Sequence, residues 1–183
     1  MTGGIKLVTS EPGLPQQLRV QPVVTPHHAQ IELSERLVLV YTGQQRLAKN
    51  LLHAIMARWM ARDTDMTWML GEIARLALAM REALAGGDLD GFGWLLAEHW
   101  AINKRMDPGC SNPFIDGLFE AMQPFICGGK LTGAGGGGFA LVVAKDSQAA
   151  HDLRSVLGLR FRGTPVGVWD CDIPQRAVSF PAV

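Results

Sequence analysis

The spacing of apolar positions changes period along the chain. Up to residue 41 they fall in short runs, Gly4 to Thr9, Leu18 to Val24 and Arg36 to Tyr41. Glu11-Pro12-Gly13 and Pro26-His27-His28 separate them as a turn and a break. Short runs bounded by turn residues predict strands. The third run, Arg-Leu-Val-Leu-Val-Tyr, is unbroken and predicts a strand buried on both faces, ending at Thr42-Gly43. From there the spacing becomes three and four. Leu47, Leu51, Leu52, Ile55, Met56, Trp59 and Met60 mark one face of an amphipathic helix. A second helix, capped by Asp65, turns Trp68, Met69, Ile73, Leu76, Met80 and Leu84 inward and stops at Gly86-Gly87. A third, capped by Asp88, turns Leu89, Phe92, Leu95, Leu96 and Ile102 inward. Gly91 and Gly93 inside it each cost about 1 kcal/mol relative to Ala.

Asp107-Pro108-Gly109 then makes a turn, and Asn112-Pro113 reads as an N-cap with proline in the first helical position of a short helix that Pro124 closes. A glycine-rich stretch follows, and after it the strand Phe139 to Lys145. Asp146 or Ser147 caps a helix ending near Gly158, and Val166 to Ile173 forms a last strand. Strands at both ends of a helical block, with a further β-α-β unit, predict an α+β fold. No internal repeat or long linker divides residues 1–183, so one domain is expected.

Charge is balanced, with 17 basic and 17 acidic residues, and gives no electrostatic case for nucleic acid or a membrane surface. Cys110, Cys127 and Cys171 are odd in number and form no C-x-x-C pair, which fits a reducing cytoplasm rather than zinc or a disulfide framework. No apolar run approaches a membrane span of about 18 residues, and the N-terminus has no signal-peptide pattern. His27-His28, His53, His99 and His151 have no metal-ligand spacing, and His99 falls near the apolar side of its helix. The tryptophans lie at helical spacing and read as core.

The richest chemistry lies in Lys130-Leu-Thr-Gly-Ala-Gly-Gly-Gly-Gly-Phe139. Four consecutive glycines, Gly135 to Gly138, suit a backbone that needs positive φ or close approach. Amides freed from side chains can cradle phosphate oxygens, and glycine serves a tight turn equally well. Gly133-x-Gly135-x-x-Gly138 matches the dinucleotide pattern formally, but that motif opens a helix and here a strand follows. Gly129-Lys130-Leu131 lacks the Ser or Thr that ends a Walker A loop. The catalytic triplets of protein kinases are absent downstream.

The same stretch resembles the third sequence motif of the GHMP kinase superfamily (galacto-, homoserine, mevalonate and phosphomevalonate kinases), of form K-x-x-G-A-G-G-G-G-F/C. Val40-Tyr-Thr-Gly-Gln-Gln-Arg-Leu-Ala-Lys-Asn50 is similar to the strand-to-helix junction of fucokinase-type members, and Asn103-Lys-Arg-Met-Asp-Pro-Gly-Cys-Ser-Asn-Pro113 to another stretch of that branch. With Thr2-Gly3-Gly4-Ile5-Lys6, the resemblance runs along nearly the whole chain. Heptose-7-phosphate kinases share the first two features more loosely and are the alternative within the family. A non-catalytic module that keeps the fold and binds an anion or a partner is the alternative outside catalysis.

The resemblance implies a ferredoxin-like GHMP kinase C-terminal domain, an antiparallel sheet packed with a helical layer. It implies transfer of the ATP γ-phosphate, with Mg²⁺, to the anomeric hydroxyl of a sugar. Thr132, Gly133, Ala134, Gly135, Gly136, Gly137 and Gly138 would lie on the phosphate side of the cleft, or act only as a tight connection. Arg46 would neutralise a phosphate, or lie on the exposed side of its helix. Asn103, Lys104, Asp107, Ser111 and Asn112 would bond sugar hydroxyls, although capping alone accounts for Asn112. No catalytic residue and no metal ligand is assigned. The family's main ATP-phosphate loop, P-x-x-x-G-L-G-S-S, belongs to the N-terminal half of such kinases, and these 183 residues contain no such stretch. The chain is therefore expected to be the C-terminal half of a longer kinase, in some relatives fused to a pyrophosphorylase. Its partner would be the N-terminal half, and the chain alone is expected to be inactive. The face that meets that half would expose an apolar patch of several hundred Å², which favours dimers of the fragment.

Overall fold

The structure is a computed structural model describing residues 3–45, 49–133, 135–171 and 173, with the backbone alone for 49–51. An antiparallel hairpin comes first, β1 (Lys6–Glu11) with β2 (Gln17–Pro22). Helix α1 (His27–Arg36) follows and runs straight into β3 (Leu37–Tyr41). Three helices come next: α2 (Lys49–Met60), α3 (Thr64–Gly86) and α4 (Leu89–Met106). A 3-10 turn at Pro108–Cys110 leads to α5 (Pro113–Met122). The chain then makes β4 (Ile126–Leu131), β5 (Phe139–Ala144), α6 (Ser147–Arg160) and β6 (Gly167–Asp170). No helix among the described residues is long and apolar enough to cross a membrane.

The main sheet has the order β4-β5-β3-β6, with every neighbouring pair antiparallel. Because β5 and β6 both pair with β3, they run parallel to each other and α6 joins them across it. This is the ferredoxin-like order that the family resemblance implied. Successive residues of a strand face opposite sides of the sheet, and the core divides accordingly. Val38, Val40, Ala140, Val142 and Ala144 pack with Ile115, Leu118 and Met122 of α5 and with Leu153 and Leu157 of α6. Leu37 and Val143 pack with Leu33 of α1, Leu84 of α3, and Leu89 and Leu96 of α4.

Local chemistry explains the helix ends. Asp88 accepts from the Gly91 amide, Asn112 from Phe114 and Ile115, and Asp146 from Ala149. Gly87 ends α3 at φ 76°. The cap of α3 is Asp63, which accepts from Met66, rather than Asp65, which falls within the first turn.

Other expectations need correction. The second strand ends at Pro22, and the expected break at Pro26-His27-His28 is the start of a helix, with Pro26 as N-cap and His27 and His28 as its first residues. In α1 only Ala29, Leu33 and Arg36 are buried, too sparse an apolar signal to register as periodicity. The last strand is Gly167–Asp170, shorter than Val166 to Ile173. The face expected of α2 does not become core: Leu52, Met56, Trp59 and Met60 are 48–73% exposed, while Ile55 packs inward. Leu47 and Leu51 of that face lie outside the described side chains. Trp68, Trp94 and Trp169 are also about half exposed, and only Trp100 of the described tryptophans is buried.

Strand β4 is a further element that periodicity missed, because Gly128-Gly129 reads as a break. Packing demands both residues. A Cβ on Gly128 would lie 2.0 Å from the Gly93 carbonyl oxygen of α4, and one on Gly93 would lie 2.8 Å from Cys127 Cβ. The glycines inside α4 and β4 thus let a helix lie directly on a strand, which offsets their propensity cost.

A buried arginine locks this contact. The Arg36 Nε donates to the Ala144 carbonyl at 2.8 Å, one terminal nitrogen pairs with Glu32 at 2.7 Å, and the other reaches Asp90 and the Cys127 sulfur. Burial pulls the guanidinium pKa down, but the bonds to Asp90 and Glu32 outweigh it and hold it above its usual value. The bond from Arg36, with one from Cys127, lowers the Asp90 carboxyl. Asp90 is itself 72% exposed, so the deletion cost sits mainly in the orphaned Ala144 carbonyl. Arg36→Met should lower stability by about 1–3 kcal/mol, and Gly128→Ala, by overpacking, by about 1–3 kcal/mol. Urea denaturation midpoints equal to wild type would refute both.

Candidate functional site

The loop between β4 and β5 spans residues 132–138 and is closed at its base by Thr132, whose amide and hydroxyl both donate to the Phe139 carbonyl, at 2.7 and 3.0 Å. Gly133, Gly135, Gly136, Gly137 and Gly138 have φ between 72° and 150°, a region that side chains resist. Ala134 lies outside the described residues.

Two other segments hold the loop. The first is the junction after β3. Thr42 is fully buried, and its amide and hydroxyl donate to the Gly138 carbonyl at 2.8 and 2.9 Å. The Gly138 amide returns a bond to the Gln44 carbonyl at 2.8 Å. A Cβ on Gly137 would lie 2.8 Å from that same carbonyl oxygen. The second segment is the turn before α5. The Gly136 amide donates to the Cys110 carbonyl, and a Cβ on Gly135 would lie 2.9 Å from its oxygen. Asn112 joins the two segments, since its Nδ2 donates to Gln44 Oε1 at 2.8 Å while its Oδ1 caps α5. Two stretches far apart in sequence therefore converge on the loop.

Amide use alternates along the loop. Gly136 and Gly138 point inward to protein carbonyls, whereas the amides of Gly133, Gly135 and Gly137 have no protein acceptor among the described residues. Part of the loop is thus a packed connection, while alternate amides are left without a protein acceptor. Tyr41, Phe139 and Trp169 form an aromatic group beside it, with ring centroids 5.1–6.3 Å apart.

The other expected site residues are placed as follows. Ser111 Oγ donates to Asp116 at 2.8 Å, and Asp107 accepts from the Gly109 amide at 2.6 Å, capping the 3-10 turn. Lys104 lies 3.7 Å from Asp116 and over the Trp100 ring, at the mouth of a 750 Å³ cleft between α4, α5 and β4. Asn103 is buried, and its Oδ1 has no partner among the described residues. Arg46 lies outside the described residues. Gln44, which bonds both loop and turn, stood in the quoted junction but was not singled out. Among the described residues no group of three His, Cys, Asp or Glu could hold a metal.

Residues 80–162, from the later part of α3 through α6, match the family model for the C-terminal domain of GHMP kinases. The chain carries a GHMP kinase C-terminal domain. The bifunctional fucokinase/GDP-fucose pyrophosphorylase of Arabidopsis thaliana is 43% identical over 154 residues, 84% of this chain and 15% of that protein. The L-fucokinase/L-fucose-1-P guanylyltransferase of Bacteroides fragilis is 34% identical over 154 residues, 84% of this chain and 16% of that one. The chain thus spans about a sixth of the length of these relatives. The fold of the GHMP domain is also that of the crystal structure of L. major mevalonate kinase in complex with R-mevalonate. There the TM-score is 0.74 at 20% identity, covering 91% of this chain and 48% of that one.

His99, on α4, is largely buried, and its Nδ1 has no partner among the described residues. Desolvation and then the charge of Lys130 push its pKa from 6.5 down to about 4. Between these values the unfolded chain takes up a proton that the folded chain refuses, so stability is lost as pH falls through this window. His99→Leu should flatten that part of the profile: from pH 7 to 4.5 its melting temperature should drop less than that of wild type. Equal drops in thermal denaturation would count against burial of the neutral imidazole.

Proposed function

We propose that residues 1–183 act as the C-terminal domain of an ATP-dependent sugar kinase, most similar to fucokinases, in the transfer of the γ-phosphate to the anomeric hydroxyl of a sugar. The convergence of two fucokinase-like stretches on the glycine loop carries this reading. Similarity to two fucokinase-containing proteins over 84% of the chain supports it.

Phosphoryl transfer depends on positioning and on stabilising dispersed charge. The amides of Gly133, Gly135 and Gly137 suit phosphate oxygens, and Thr42, Gln44 and Cys110 hold them in place. ATP with Mg²⁺ would supply the phosphoryl group, and no Mg²⁺ ligand is assigned within these residues. Ser111, Asn112 and Lys104 are the groups assigned to the sugar side, with Asn103 behind them. Asp107 is committed to capping its turn. We assign the main phosphate loop and the covering of the α2 stripe to an N-terminal half of the same kinase, in a reducing cytoplasm that suits three free cysteines.

Two outcomes test this. In the full-length protein, Gly133→Val, at a position where a Cβ meets no atom within 4 Å, should raise KM for ATP or abolish sugar-dependent ADP release. Turnover equal to wild type for L-fucose, other hexoses and heptose 7-phosphate would sink the phosphate-side role. The 183-residue chain alone should transfer no phosphate and should self-associate through its exposed α2 stripe. Sugar-dependent ATP turnover by that chain, or a purely monomeric elution on sizing chromatography, would each overturn the corresponding half.

A further inference from the structure

Lys130 stands two residues before the loop begins. It is only partly exposed, and alternation along β4 puts it on the face that Gly128 turns to α4. Its Nζ donates to the Leu131 carbonyl at 2.6 Å, and among the described residues no carboxylate pairs with it. On α4, His99 lies near enough to feel its charge, and its Nδ1 has no partner among the described residues.

An ammonium withdrawn from water without a carboxylate is costly. Burial lowers the Lys130 pKa, and its charge in turn depresses that of His99. The lysine's strand runs directly into the loop, and its Nζ sits on the carbonyl of Leu131, next to the Thr132 that closes the loop's base. The loop above contributes free amides but no charge of its own.

We propose that Lys130 is the charged member of the anion site at the glycine loop: its ammonium, anchored on the Leu131 carbonyl and lacking a carboxylate, is the charge that a bound phosphate group neutralises. This rests on the loop being a phosphate-side site. The partner chemistry is a polyphosphate rather than a carboxylate, since the lysine supplies a point charge and the backbone supplies dispersed donors.

The test uses the 183-residue chain with inorganic tripolyphosphate as the probe, followed by NMR. Wild type should bind it, Lys130→Met should bind about tenfold more weakly, and Lys130→Arg should stay within threefold or so of wild type. The second readout is the His99 imidazole. Tripolyphosphate should raise its pKa in wild type, and in Lys130→Met that pKa should start higher and not respond to the anion. Binding lost in Gly135→Val but unchanged in Lys130→Met, or a His99 titration indifferent to the anion, overturns the lysine's role and leaves the loop's role standing. Failure of wild type to bind tripolyphosphate overturns both.

Discussion

The backbone contact between Gly93 of α4 and Gly128 of β4 sets the spacing on which the rest of the molecule depends. With no side chain on either residue, the helix lies on the strand closely enough for Arg36 to reach Asp90, Cys127 and the Ala144 carbonyl at once. Beyond the other end of α4, the turn at Pro108–Cys110 delivers the Cys110 carbonyl to Gly136, so the helix runs from this contact towards the loop.

The glycine loop is better described as two interleaved sets than as a flexible strip. One set of amides is spent on Cys110 and Gln44 and makes the loop rigid. The other set is left open, and under the proposed phosphate-side role rigidity would favour binding, because donors already in place would need no ordering. The positive φ angles serve the shape, and the missing side chains serve the contacts with Cys110 and Gln44.

Much of this was legible because its chemistry is local. Asp88, Asn112 and Asp146 announce helix starts by side-chain capping, and Gly87 announces a stop. Strand β4 was not legible, since the reason for Gly128 and Gly129 lies on α4 and β5. Helix α1 hid behind a polar composition. The stripe on α2 marks a helix, yet of its described side chains only Ile55 packs inward, because periodicity reports spacing and not burial. At the site, the three motif stretches were visible one by one. The alternation of amides was not, because it depends on carbonyls contributed by distant turns. Lys130 escaped notice for a related reason: its residue type is ordinary, and only the nearness of α4 makes its charge unusual.

The position of β3 in the sheet governs how the domain can be made. Val38 pairs with Val142 on one side and with Asp170 on the other, so neither neighbour exists when β3 leaves the ribosome. The helices from α2 to α5 can form in the interval from local contacts, but closing the chain between such distant strands is slow. β5 arrives next and brings β4 with it as a hairpin, and β6 arrives last. Until synthesis has passed Asp170, the central strand of the sheet keeps an open edge, and a nascent chain in that state is the form most exposed to pairing with another.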